Sequence, residues 1–176
     1  EVAVHKLEED SPKLSEAKPI DIVISAVGDI MIHGTQLTAQ YDNHANEYDF
    51  TNNFSYVKPY LEQADLTLAN LETVMAGKEK EYTSFPLFNT PDALADALKS
   101  TGFDVISTAN NHSLDRGKEG LIRTVGVLKE RRLGVIGTKA KENDESYLIQ
   151  DVNGIKVGLS SFTYETPRVN GKKTIN

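Results

Sequence analysis

Ile22-Val23-Ile24-Ser25-Ala26-Val27-Gly28-Asp29 is the stretch whose reading decides the fold. Four of its first six residues are β-branched, and the run stops at a glycine followed by a carboxylate. A short, nearly continuous apolar run of this kind predicts a strand buried on both faces. It also leaves Asp29 at the strand's carboxyl end, where open α/β sheets bind their ligands.

Working toward the C-terminus, the same logic recurs. Polar residues fill 33–53, and a helix is expected from Ser55 to about Gln63. Asp65-Leu66-Thr67-Leu68-Ala69-Asn70 reads as a second strand. Thr90 can cap the next helix, with Pro91 at its first position and Asp92 complementing the dipole. Leu94, Ala97 and Leu98 form its apolar stripe and Gly102 its stop. Phe103-Asp104-Val105-Ile106-Ser107 follows as a third strand. A longer helix is expected from about Lys118 to Arg132, then a fourth strand over Leu133-Gly134-Val135-Ile136-Gly137. Tyr147 to Asp151 and Ile155 to Phe162 flank Asn153-Gly154, a strong hairpin turn signal. Strands alternating with helices predict an α/β domain with a mainly parallel sheet, plus this hairpin.

Toward the N-terminus the character is different. Residues 1–19 are charged and rich in Lys, Glu, Ser and Pro, and read as a flexible leader or spacer, a remnant of no consequence being the equal alternative. The chain begins at Glu1 rather than Met, which suggests a processed product or a trimmed piece. Thr166 to Asn176 is polar and closes no element, so 20–176 read as the N-terminal portion of a larger domain.

Composition excludes several classes of function. With 176 residues and 39% hydrophobic content the chain can build a sizeable core. Its net charge of -7, without clustered Lys and Arg, argues against a nucleic-acid surface. There is no cysteine, so disulfides, thiolate catalysis and Cys-ligated zinc are excluded.

Chemistry gathers after three of the strands, at Gly28-Asp29, at Asn70-Leu71-Glu72, and at Ala109-Asn110-Asn111-His112 with Asp115 and Gly117 behind it. Carboxylates, amides and an imidazole are oxygen and nitrogen donors suited to Mn, Mg, Fe or Zn. A metal there could polarise an oxygen and activate water, or His112 could serve as general acid. Taken singly, each has a plainer reading. Asp29 could make a turn, Asn70 satisfy backbone groups, Glu72 be solvated and His112 be structural. Asp115 is read as a cap for the following helix. His33 can reach the same site from four residues beyond Asp29, while His5 and His44 are read as solvated.

The ordered string Gly28-Asp29, Tyr48-Asp49-Phe50, Ala64-Asp65-Leu66, Asn70-Leu71-Glu72, Phe103-Asp104-Val105, Ala109-Asn110-Asn111-His112-Ser113-Leu114-Asp115-Arg116-Gly117 and Gly134-Val135-Ile136-Gly137 resembles the poly-γ-glutamate capsule biosynthesis (CapA) family over roughly 21–165. That family is similar in fold to calcineurin-like metallophosphoesterases. The resemblance implies a β-sandwich flanked by helices, with only its N-terminal part present. It also implies metal ligation by Asp29, Glu72 and Asn111, and His112 as the proton donor to the leaving group. One departure stands out: Met31 occupies the place of a histidine two residues after Asp29, and a thioether is a poor ligand for hard metals. The family further implies a cell-surface, membrane-attached factor for an anionic γ-glutamyl polymer, working with other capsule-synthesis membrane subunits. Its attachment segment would lie outside this chain. A metal-dependent hydrolase and a non-catalytic scaffold subunit of the export complex both remain open. Because the chain is acidic, binding polyglutamate would need a divalent cation or a local basic patch. Lys78, Lys80, Arg116 and Lys118 are candidates for that patch, with solvated surface charge as the plainer reading.

Overall fold

The computed structural model describes residues 18–164. In chain order the elements are β1 (Ile24–Ile30), α1 (Gly34–Ala39), β2 (Tyr41–Asp42), β3 (Glu47–Tyr48), α2 (Lys58–Leu61), β4 (Leu66–Leu71), α3 (Ala93–Thr101), β5 (Val105–Ser107), α4 (Gly117–Glu130), β6 (Gly134–Ile136), β7 (Leu148–Val152) and β8 (Ile155–Leu159). Single 3₁₀ turns occur at Thr51–Phe54 and Lys78–Lys80. The leader (apart from residues 18 and 19), His5 and the closing stretch 165–176 lie outside the described residues.

A parallel four-stranded sheet in the order β1-β4-β5-β6 forms the centre, as the alternation of strands and helices leads one to expect. Its inner strands are apolar at consecutive positions because both faces are covered. On β4 and β5, Ala69, Leu71 and Ile106 turn to one side and pack with Leu94, Leu98, Phe103 and Leu128 of the helical layer. Leu66, Leu68 and Val105 turn to the other side and meet Leu148, Val152, Val157 and Leu159 of the β7–β8 hairpin. The hairpin turns at Asn153-Gly154, where φ is 52° and 87°, the left-handed pair that the dipeptide favours.

The opening strand corrects an expectation. β1 is not buried on both faces: it is an edge strand, and Ile24 and Val27 are 44% and 38% exposed. It resembles an interior strand in sequence, yet among the described residues only β4 pairs with it.

Several boundaries also move. The helix expected from Ser55 shrinks to α2, because Pro59 sits in its first turn and cannot donate a helical hydrogen bond. Thr90 does not cap α3: its hydroxyl is buried against that of Thr73 at 2.8 Å, and the helix starts two residues after Pro91. Gly102 ends α3 in the left-handed conformation, φ 105°, as its position suggested. β5 and β6 are each three residues long, shorter than their apolar runs.

Gly137 places the end of β6 against the loop that follows β5. Its φ is +94°, and a Cβ there would lie 2.5 Å from the Ala109 Cβ and 2.9 Å from the Ala109 nitrogen. Gly137→Ala is therefore expected to destabilise the protein by about 1–3 kcal/mol. Urea unfolding checks this, and a loss within error of zero would contradict the close approach.

Candidate functional site

The parallel pairing of β1 with β4 aligns Asp29 with Asn70 after an irregularity between Ala26 and Asp29. The Asn70 amide donates to Asp29 Oδ1 at 2.7 Å. Asn110, just beyond β5, extends this line: its amide donates to Asn70 Oδ1 at 3.1 Å and to the Leu71 carbonyl at 2.8 Å. Asn110 Oδ1 in turn accepts the His112 N–H at 3.0 Å. Three strand ends are thus tied together by side-chain amides. Asn110 is 7% exposed, and its role is to fix the loop from which His112 projects. The Ser113 hydroxyl tightens the same loop by donating to the Thr108 carbonyl at 2.5 Å and accepting the Asn110 N–H at 2.9 Å.

His112 is held on both edges. Its Nδ1 lies 2.8 Å from Asp115 Oδ2, and its Nε2 lies 3.9 Å from Glu72 Oε1. Asp115 Oδ2 also accepts the Phe88 N–H at 2.7 Å. The Phe88 ring meets that of His112 nearly at right angles, 4.8 Å between centroids, and meets His33 in the same way at 5.4 Å. This corrects the reading of Asp115 as a helix cap. α4 begins at Gly117 after Arg116 with no side-chain cap, and the Asp115 carboxylate orients the imidazole instead. The His-x-x-Asp spacing was the signal for it. Phe88, in the loop before α3, carried no signal in the sequence.

Glu72 and Asp29 are neighbours. Burial pushes the Glu72 carboxyl above its ordinary value of 4.5, a hydrogen bond with Asp29 and the Asp29 charge add to the shift, and His112 opposes it. A carboxyl whose folded pKa is raised takes up its proton more readily folded than unfolded. Its contribution is fully present below pH 4.5 and is lost as pH rises through the raised value. Glu72→Gln is therefore expected to raise the melting temperature at pH 7 without added metal, and to give no gain below pH 4.5. Thermal unfolding across pH checks this. A variant less stable than the parent at pH 7 would contradict it.

Of the sequence-predicted site residues, then, Asp29, Glu72 and His112 come together. Asn111 stands exposed beside His112 and makes no hydrogen bond among the described residues. His33 opens α1, its N–H bonded to the Gln36 side chain at 2.9 Å, and touches Phe88 rather than a carboxylate. His44 is exposed. Met31 is only half buried. Among the described residues no group of three or more His, Asp or Glu side chains is arranged to hold a metal ion. Asp29 and Glu72, as two adjacent carboxylates, are nonetheless oxygen donors of the kind that suits a hard cation. No helix among the described residues is long and apolar enough to cross a membrane.

The sequence is 29% identical over 147 residues to the capsule biosynthesis protein CapA of Bacillus anthracis, covering 81% of this chain and 34% of that protein. It is 26% identical over 159 residues to the PGA biosynthesis protein CapA of Bacillus subtilis (strain 168), covering 88% of this chain and 40% of the relative. The chain thus spans between a third and two fifths of the length of these curated relatives. The family model described as bacterial capsule synthesis protein PGA_cap matches residues 23–176, most of the chain, and the protein belongs to that family.

Proposed function

We propose that this protein serves capsule synthesis at the outer face of the bacterial cell, handling an anionic γ-glutamyl polymer through a hydrolase-type site. The observation that carries the reading is the meeting of Asp29, Glu72 and His112 at one edge of the sheet. Asp29 and Glu72, joined by Asn111 as the resemblance implies, would hold a divalent cation such as Mn, Zn, Fe or Mg. Such a cation, when bound, supplies Lewis-acid polarisation of an oxygen and activation of water. His112, fixed through Nδ1 by Asp115, keeps Nε2 directed toward the carboxylates and can hand a proton to a leaving group. Asn70 and Asn110 hold these strand ends in register. Attachment to the membrane and association with other capsule-synthesis subunits belong to the same proposal, and both would use segments outside the described residues.

A second reading has its own support. The residue two after Asp29 is Met31, and no complete metal-holding group occurs among the described residues. A non-catalytic scaffold for polymer export would tolerate both features. Cells whose capsule depends on this protein separate the two. With Asp29→Ala or His112→Ala accumulating at normal levels, loss of capsule or a change in polymer length supports the hydrolase-type site. A normal amount of capsule with normal chain length would contradict that site and support the scaffold.

A further inference from the structure

Two of the arginines are closed by carboxylates. Arg123 grips Asp92 through contacts of 2.6 and 2.7 Å, and Arg131 holds Asp96 at 2.8 and 3.1 Å. These are the two-pronged pairs for which the guanidinium is shaped. Arg116 is half buried but differently served. Its Nη2 donates to the Thr83 hydroxyl and, at 3.1 Å, to the Leu87 carbonyl. Its Nε is buried without a hydrogen-bond partner, and no carboxylate among the described residues pairs with it. The adjacent Asp115 is already committed to His112 and to the Phe88 N–H.

Arg116 lines an open cavity of about 810 Å³ between α1 and the 81–88 segment. Among the described residues it is the only charged one in that wall; Thr38, Tyr41, Tyr48, Tyr82 and Ser84 supply hydroxyls and aromatic faces. A lone, under-satisfied guanidinium beside neutral donors suits one singly charged group. A phosphate dianion would call for a second cation beside Arg116, and none lines this cavity among the described residues.

We propose that this cavity is a carboxylate subsite, in which Arg116 takes one carboxylate of a flexible amide-linked chain and the tyrosines hold the segment next to it. The inference rests on the proposed reading for the γ-glutamyl chain as ligand and for its purpose, while the carboxylate preference rests on Arg116 and the cavity. Arg116 follows Asp115, the partner of His112, and Leu87 precedes Phe88, which lies against His112. A chain anchored at Arg116 would therefore be held beside the His112 site, with its remaining carboxylates left to solvent or to a cation.

The probe is a γ-linked glutamate hexamer, titrated calorimetrically into the whole chain with a chelator present, so that binding is read without metal or turnover. Saturable binding is expected, weakened at least about tenfold in Arg116→Gln, the loss of roughly 1.4 kcal/mol. Thr38→Trp should weaken it similarly by filling the cavity while leaving Arg116 and its loop contacts intact, which guards against a folding defect in the arginine variant. Lys156→Ala, on the β7–β8 hairpin and outside the cavity wall, should bind like the parent. Absence of saturable binding, affinity equal to the parent's in the two cavity variants, or inorganic phosphate displacing the hexamer at equal concentration would each overturn the subsite. If the hexamer binds in this way and the polymer is never cleaved, the subsite stands and the hydrolase-type reading fails. If cleavage proceeds with unchanged KM in Arg116→Gln, the subsite fails and that reading stands.

Discussion

On the hydrolase-type reading proposed above, His112→Ala is expected to lower cleavage of γ-glutamyl polymer by about 10²–10⁴-fold, the range typical of losing a positioned proton donor. The fold should survive, because the ring is held by the carboxylates of Asp115 and Glu72 and by one ring contact rather than by the main core clusters. Asp115→Asn is expected to cost less, about 10–100-fold, since it removes the charge that orients the imidazole and leaves the imidazole in place. Steady-state rates with polymer and added Mn²⁺ check both, alongside melting temperatures. Equal activity in His112→Ala and the parent would remove the proton donor from the account. Asp115→Asn being more damaging than His112→Ala would show that Asp115 does something beyond orienting the ring.

Phe103→Ala should have the largest effect on stability. Phe103 is 1% exposed, and it follows the glycine that ends α3 and leads into β5. Its ring meets Phe54 nearly at right angles with centroids 6.1 Å apart, so it ties the 3₁₀ turn before α2 to the helical layer. Truncating a buried phenylalanine of this kind costs about 3–5 kcal/mol. For a chain of this length each kcal/mol moves the melting temperature by roughly 2–4 °C. Urea and thermal unfolding of the variant check this. A loss below about 1 kcal/mol would mean that the site collapses around the gap, and that the two layers are less interdependent than the packing indicates.

Much of this architecture was legible because it rests on local physics. The apolar runs at 66–71 and 105–107, the stripe Leu94, Ala97, Leu98 and the Asn153-Gly154 turn each specify their element without distant help. β1 was misjudged on one point for a clear reason: a β-branched run has the same composition at a sheet edge as in its middle, and only strand order tells them apart. α2 starts later than its helix signal because Pro59 has to fall in the first turn, and α3 because local cap signals compete with tertiary bonds, here Thr73 for Thr90 and Arg123 for Asp92. In the site, Asp29, Glu72 and His112 could be named from their positions after strands, since a parallel sheet gathers such ends. Asn70 and Asn110 could not be recognised as the ties between them, because amide hydrogen bonds across strands depend on register. Phe88 reaches His112 from a loop with no periodic pattern, so no sequence rule points to it.

On the proposed reading, Asp29 and Glu72 act together beside His112 as a place for a divalent cation. Calorimetric titration of Mn²⁺ into the whole chain, set against Glu72→Gln and Asp29→Asn, tests it most directly. The account predicts saturable binding in the parent and its loss in both variants, with His112→Ala weakened far less. No binding in the parent, or undiminished binding in the two carboxylate variants, would contradict it.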